Sequence, residues 1–248
     1  MTNTNYLSLR IARQIRSNFF SRCTNSYIRK KVTSRCPLDA SAGRSMVEML
    51  GVLAIIGVLS VGAIAGYSKA MMKYKLNKQS EQLTQVLNSI TRLAHSFNNM
   101  TEVTSMFPYL IKMSEIPNEM IKNDTSTIYD VFNNQLVSYI QPQTATGRFI
   151  QGVISLRIFL PLTTKSDQNI AVCQNIYNII KENSSNIYYV YSISGYDTDD
   201  SRKGIFWGDK DCADNCLKDI TVEKTYQECA QHIGNANGGS HIVVLWKM

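Results

Sequence analysis

The stretch "GRSMVEMLGVLAIIGVLSVGAIAGY", Gly43 to Tyr67, decides the fold. Met49 to Tyr67 is a run of 19 uncharged residues, and at about 1.5 Å per residue a helix of that length crosses roughly 28 Å of hydrocarbon. One carboxylate, Glu48, stands at its start, where an ionised acid in hydrocarbon is destabilising unless a partner neutralises it. Four glycines, Gly51, Gly57, Gly62 and Gly66, punctuate the run. Gly62 and Gly66 form a G-x-x-x-G pair, a spacing that lets helices approach closely in lipid. Each glycine also loosens the helix, by about 0.5 to 1 kcal/mol relative to alanine.

Downstream, the helical period persists but its character changes. Leu76, Leu83, Leu87, Ile90, Ala94 and Phe97 recur as one apolar stripe, while Lys73, Lys75, Lys78, Glu81, Gln82, Gln85 and Arg92 occupy other faces. No proline interrupts residues 44–107. The pattern predicts one helix from about Ser45 to Phe97, on the order of 80 Å long, oily all round in its first half and amphipathic in its second. The competing reading is two helices joined near Lys69 to Lys75.

Upstream lies the charge. The chain has 248 residues and a formal charge of +7. Residues 1–43 hold Arg10, Arg13, Arg16, Arg22, Arg29, Lys30, Lys31 and Arg35 against Asp39 alone, so residues 44–248 are balanced at 18 basic and 18 acidic groups. The basicity belongs to a leader, and a mature head that binds nucleic acid by net charge is not expected. A basic flank before an apolar span holds that end in the cytoplasm and sends the remainder across the membrane. The Arg- and Ser-rich composition also fits an organelle transit peptide, and a disordered tail is the plainest alternative. The small residues of "DASAG" lie before the span, so cleavage there leaves the span on the mature chain.

The residues "SAGRSMVEMLGVLAIIGVLSVGAIAGYSKAM", Ser41 to Met71, resemble the processing site of type IV prepilins and of their relatives, the pseudopilins of type II secretion. In that family a leader ends in glycine, the next residue begins the mature chain, and a glutamate follows at the fifth mature position. Gly43, Arg44 and Glu48 occupy those places. The resemblance implies that a membrane-embedded prepilin peptidase cuts after Gly43 and methylates the Arg44 amino group. It further implies that Glu48 of an incoming subunit pairs with that amino group of a neighbour. Partners implied are further copies of the chain in a homopolymer, the peptidase, an inner-membrane assembly platform and, before assembly, membrane lipid. Two features depart from the family pattern: Arg44 stands where members usually begin with a hydrophobic residue, and the helix-bending proline of many pilins is absent. The small "SAG" ending and long leader resemble the type IVb side of the family.

The second half reads as a globular head. Thr101 to Asn134 reads as a loop with short helical pieces around Pro108 and Pro117. "NQLVSYI", "GRFIQGVISLRIFLPL", "NIYYVYSIS", "RKGIFWG" and "HIVVLWKM" alternate and are rich in β-branched and aromatic residues, as strands are. Ser166 and Asp167 cap a helix to about Asn183 that carries Ile170, Cys173, Ile176, Tyr177 and Ile180 on one face, and "TVEKTYQECAQHI" reads as another helix. The expected class is α+β, a long N-terminal helix packed against an antiparallel sheet, as in pilins. The expected organisation is a cleaved leader (1–43), a transmembrane and assembly half-helix (44–67), an amphipathic half-helix (68–100) and a head (101–248).

Cys23 and Cys36 fall in the leader. Cys173, Cys212, Cys216 and Cys229 remain, an even number in a domain expected to be exported, and four cysteines allow three pairings. The resemblance to the family's C-terminal disulfide region favours Cys173 with Cys229, leaving Cys212 with Cys216 to close "CADNC". Cysteines on an intact helical turn suit a disulfide poorly, however. Cys212, Cys216, Cys229 and His232 also have a passable zinc-ligand spacing. No metal or other cofactor is expected in an oxidising compartment. The acidic "DTDD", Asp197 to Asp200, reads as a solvated loop.

No nucleophile elbow, phosphate loop, H-E-x-x-H or dinucleotide pattern occurs, and an enzyme is not expected. The expectation is a structural subunit of a type IVb-like pilus serving adhesion, motility or DNA transfer, its precursor in the inner membrane with the head periplasmic and its product an extracellular fibre. A minor pilin or secretion pseudopilin shares that chemistry. A single-span membrane-anchored binding protein that never polymerises is the alternative of another class.

Overall fold

The computed structural model describes residues 46–145, 150–160, 166–193, 203–233 and 240–248. The leader, Gly43, Arg44 and Asp197 to Asp200 lie outside them. The chain divides into two compact units, one ending at Leu59 and one running from Ser60 to Met248.

Of the first unit, every described residue is helical and exposed. It is the start of helix α1, Met46–Leu93, which ends in a 3-10 turn, Ala94–Phe97. The helix passes unbroken through Lys69 to Lys75, so the two-helix reading is overturned. The segment there, KAMMKYK, is built mainly of Lys, Met and Ala, all good helix formers, and contains neither Gly nor Pro.

In the second unit, α1 buries Leu83, Val86, Leu87 and Ile90, followed by Ala94 and Phe97 of the terminal turn. This is the expected stripe with Val86 added and Leu76 only half-buried. It packs into a core that includes the inner face of an antiparallel sheet of seven strands. The strands are β1 (Thr104–Ser105), β2 (Thr127–Tyr129), β3 (Gln135–Gln141), β4 (Val153–Leu160), β5 (Tyr189–Ile193), β6 (Lys203–Trp207) and β7 (Ser240–Lys247). Their order is β1-β3-β4-β7-β5-β6, with β2 also paired to β3.

Alternation sets the register. Ile154, Leu156 and Ile158 of β4 stand opposite Trp246, Val244 and Ile242 of β7, and all six join the core against α1. A one-residue slip would turn this set to the other face. The last strand is thereby central, and the Trp246 indole N–H donates to the Thr91 hydroxyl of α1 at 2.9 Å. The opposite face carries a smaller cluster of Val153, Tyr189, Tyr191, Val243 and Leu245.

Among the described residues the head has three further α-helices: α2 (Phe107–Lys112), α3 (Asp167–Glu182) and α4 (Val222–His232). Pro108 sits in the first turn of α2, where its missing N–H is harmless. The Ser166 hydroxyl accepts from the Asn169 amide, and the Thr221 hydroxyl from the Lys224 amide, capping α3 and α4. Two expectations are corrected. The segment from Thr101 to Asn134 is not loop alone, because β1 and β2 both pair with β3, Thr104 opposite Ile140 and Thr127 opposite Val137. In the strand expected from Gly147, residues 147–149 lie outside the described residues and 150–152 are not strand, because Gly152 turns the backbone at φ +69° just before β4 begins at Val153.

Candidate assembly site

Glu48 lies in the first turn of α1, where the partial positive charge of the unpaired backbone N–H groups favours a carboxylate. It is exposed, as are its apolar neighbours: Met46, Leu50, Leu53 and Leu59 each show more than three-fifths of their surface. An exposed oily helix surface of this extent marks a site covered by lipid or protein. α1 is long and apolar enough to cross a membrane, and no part of its most apolar stretch is buried within the chain.

The four glycines all lie inside this helix, and a side chain built at any of them would meet nothing within 4 Å. At 100° per residue, Gly51, Gly62 and Gly66 fall with Glu48 inside an arc of about 60°, while Gly57 points elsewhere. The acid and three of the small residues thus share one face. Among the described residues nothing crowds these glycines.

The sequence reading missed a polar seam on the other half of α1. Gln79, Gln82 and Ser89 are buried in line with the apolar stripe, which corrects the placement of Gln82 on an outer face. Gln79 donates to Asp130 at 2.7 Å and accepts from Asn175 of α3 at 2.9 Å. Gln82 donates to Glu119 at 2.9 Å and accepts from the Val131 amide at 2.9 Å. The seam therefore fixes the rotation of α1 against both the 115–134 segment and α3. Its signal was available, since 79, 82, 83, 86, 87 and 90 are one helical row.

Asp130 is the hub of the seam. Its buried carboxylate accepts from Gln79 and the Asn134 side chain at 2.7 Å, the Asn134 amide at 2.8 Å and the Phe132 amide at 2.9 Å. Burial nonetheless pushes its pKa above the ordinary aspartate value, while these hydrogen bonds pull it down. The folded-state pKa is then the higher one, so the native state binds the proton more tightly than the unfolded chain. The contribution of Asp130 to stability is full below its unfolded pKa and declines as pH rises through the folded one. Asp130→Ala is expected to lower stability by about 1 to 3 kcal/mol, since it leaves buried donors unpaired. It is also expected to remove that decline, which denaturant titrations on both sides of the folded pKa will reveal. An unchanged pH profile would refute the assignment.

The head cysteines form two disulfides. Cys173 of α3 joins Cys229 of α4 across a Cα–Cα distance of 5.9 Å, with both residues buried. Cys212 joins Cys216 across 5.4 Å. The "CADNC" segment is a turn rather than a helix, with Asn215 at φ 56°, and this shape brings the two sulfurs together. The zinc reading is overturned, because sulfurs in disulfides are not available as thiolates; the His232 side chain lies outside the described residues. No protein-family model and no curated protein matches the chain.

Proposed function

We propose that the chain is the precursor of a type IVb-like pilin, a structural subunit that prepilin peptidase cuts after Gly43 and that polymerises through α1. One observation carries the reading: a helix whose apolar half bears a single acid, five residues past a glycine in sequence, is exposed at its start, yet its continuation is buried under an antiparallel sheet. A subunit that merely anchored itself would need the span but neither the acid at that place nor glycines aligned with it.

The chemistry follows from desolvation. Before assembly the oily half of α1 lies in lipid, with Glu48 near the headgroups. In a filament the same surface is buried by other copies, and water leaves. The carboxylate then requires a cation, and the freed Arg44 amino group supplies one. A mispositioned subunit would bury both charges unpaired, so the pair sets the axial step of the polymer. The precursor is placed in the inner membrane with its head periplasmic, and the product outside the cell.

Intact-mass measurement of the protein from its native membrane tests the reading. The expected species begins at Arg44 and is one methyl group heavier than the bare chain. A retained leader, or a cut beyond Tyr67, would overturn it.

A further inference from the structure

We infer that the part of α1 just past its apolar run is a collar that binds the headgroups of anionic phospholipids. Lys69, Lys73 and Lys75 are exposed, and none makes an ion pair among the described residues. No acidic residue occurs between Glu48 and Glu81 to offset them. Tyr67 and Tyr74 are also exposed, at 67% and 61%. Lys78 is different, for it is held by Glu81 at 3.2 Å and Glu119 at 2.9 Å and belongs to the head.

The angular distribution selects the partner. At 100° per residue, Lys69 and Lys73 share one side of the helix, Tyr67 and Tyr74 the opposite side, and Lys75 a third. A partner protein docking on a helix reads one side of it. A headgroup layer surrounds the helix, and a ring of cations and phenols fits that. Depth agrees: the three lysines lie about 3 to 12 Å past Tyr67 along the axis, and the headgroup region extends roughly 5 to 7 Å beyond the hydrocarbon. Flexible lysine stems cover the difference by bending back toward the phosphates. Tyrosine rings settle at the same boundary, apolar body inward and hydroxyl outward.

The inference rests on residues 49–67 spanning a bilayer and not on filament assembly. The test uses the full chain in mild detergent containing equal amounts of phosphatidylglycerol and phosphatidylcholine, with retained lipids counted by native mass spectrometry. The wild type is expected to retain phosphatidylglycerol preferentially. Each lysine contributes about fivefold near an anionic surface, so the triple Lys69→Gln, Lys73→Gln, Lys75→Gln variant should lose at least about tenfold of that preference. The corresponding triple arginine variant should keep it. The basic leader is common to all three proteins, so the difference reports the collar alone. Equal retention of both lipids by the wild type, or an undiminished preference in the glutamine variant, would overturn the inference. Displacement of phosphatidylglycerol by short duplex DNA would assign the collar to nucleic acid and overturn it equally. A chain that stays in solution without detergent would remove the span itself, which the filament reading also requires; loss of lipid preference alone leaves that reading intact.

Discussion

Glu48→Ala is expected to leave a subunit that is folded, cleaved and membrane-embedded but almost absent from fibres. The head owes nothing to this side chain, which is exposed in the first turn of α1 and far in sequence from the first core residue, Leu83. Stability of the head should be unchanged. Assembly should not be, because the alanine leaves a neighbour's amino group buried without its counter-charge. Loss of one member of a buried pair typically costs about 3 to 5 kcal/mol, more than a hundredfold in the equilibrium for adding each subunit. Glu48→Gln removes the charge while keeping the shape, and should fail nearly as severely. Fibres are sheared from cells and compared with subunit in the membrane fraction. Normal fibre yield from both variants would show that the acid does not pair at all.

Replacing Cys173 and Cys229 together by alanine is expected to be the most damaging change to the head. The bond closes a loop with a sequence separation of 56, and closing a loop of that size restricts the unfolded chain by about 4 kcal/mol. Both cysteines are fully buried between α3 and α4, so the substitution also loosens packing. The Cys212–Cys216 bond spans a separation of only 4, and the same relation gives about 2 kcal/mol. Urea titration of each double variant in detergent distinguishes the two. Equal midpoints would contradict an account in which loop length governs the stabilisation.

Much of this architecture can be read from residue patterns, and the exceptions share a cause. The length of α1, the caps at Ser166 and Thr221, and the inward rows of β4 and β7 are local: each is encoded by residues within one turn or one alternation of another. Gln82 was misread and Gln79 passed over because glutamine on an apolar row makes sense only with its partners, and Asp130 is 51 residues from Gln79. β1 and β2 have two and three residues, too few to show a period. Strand order depends on which rows meet across the core, which no local pattern records. The proposed assembly site is legible for a different reason. A lone acid and aligned glycines in an oily helix violate local economy, and such violations concentrate where function demands them. Their proposed partner belongs to another molecule, so the fold of a single chain contains only half of the arrangement.

The central position of β7 has a consequence for biogenesis. β4 and β5 cannot be joined until residues 240–247 slide between them. Until residues 240–247 are in place, the head has two open strand edges, β4 and β5, and an unpaired edge is a ready template for pairing with another chain.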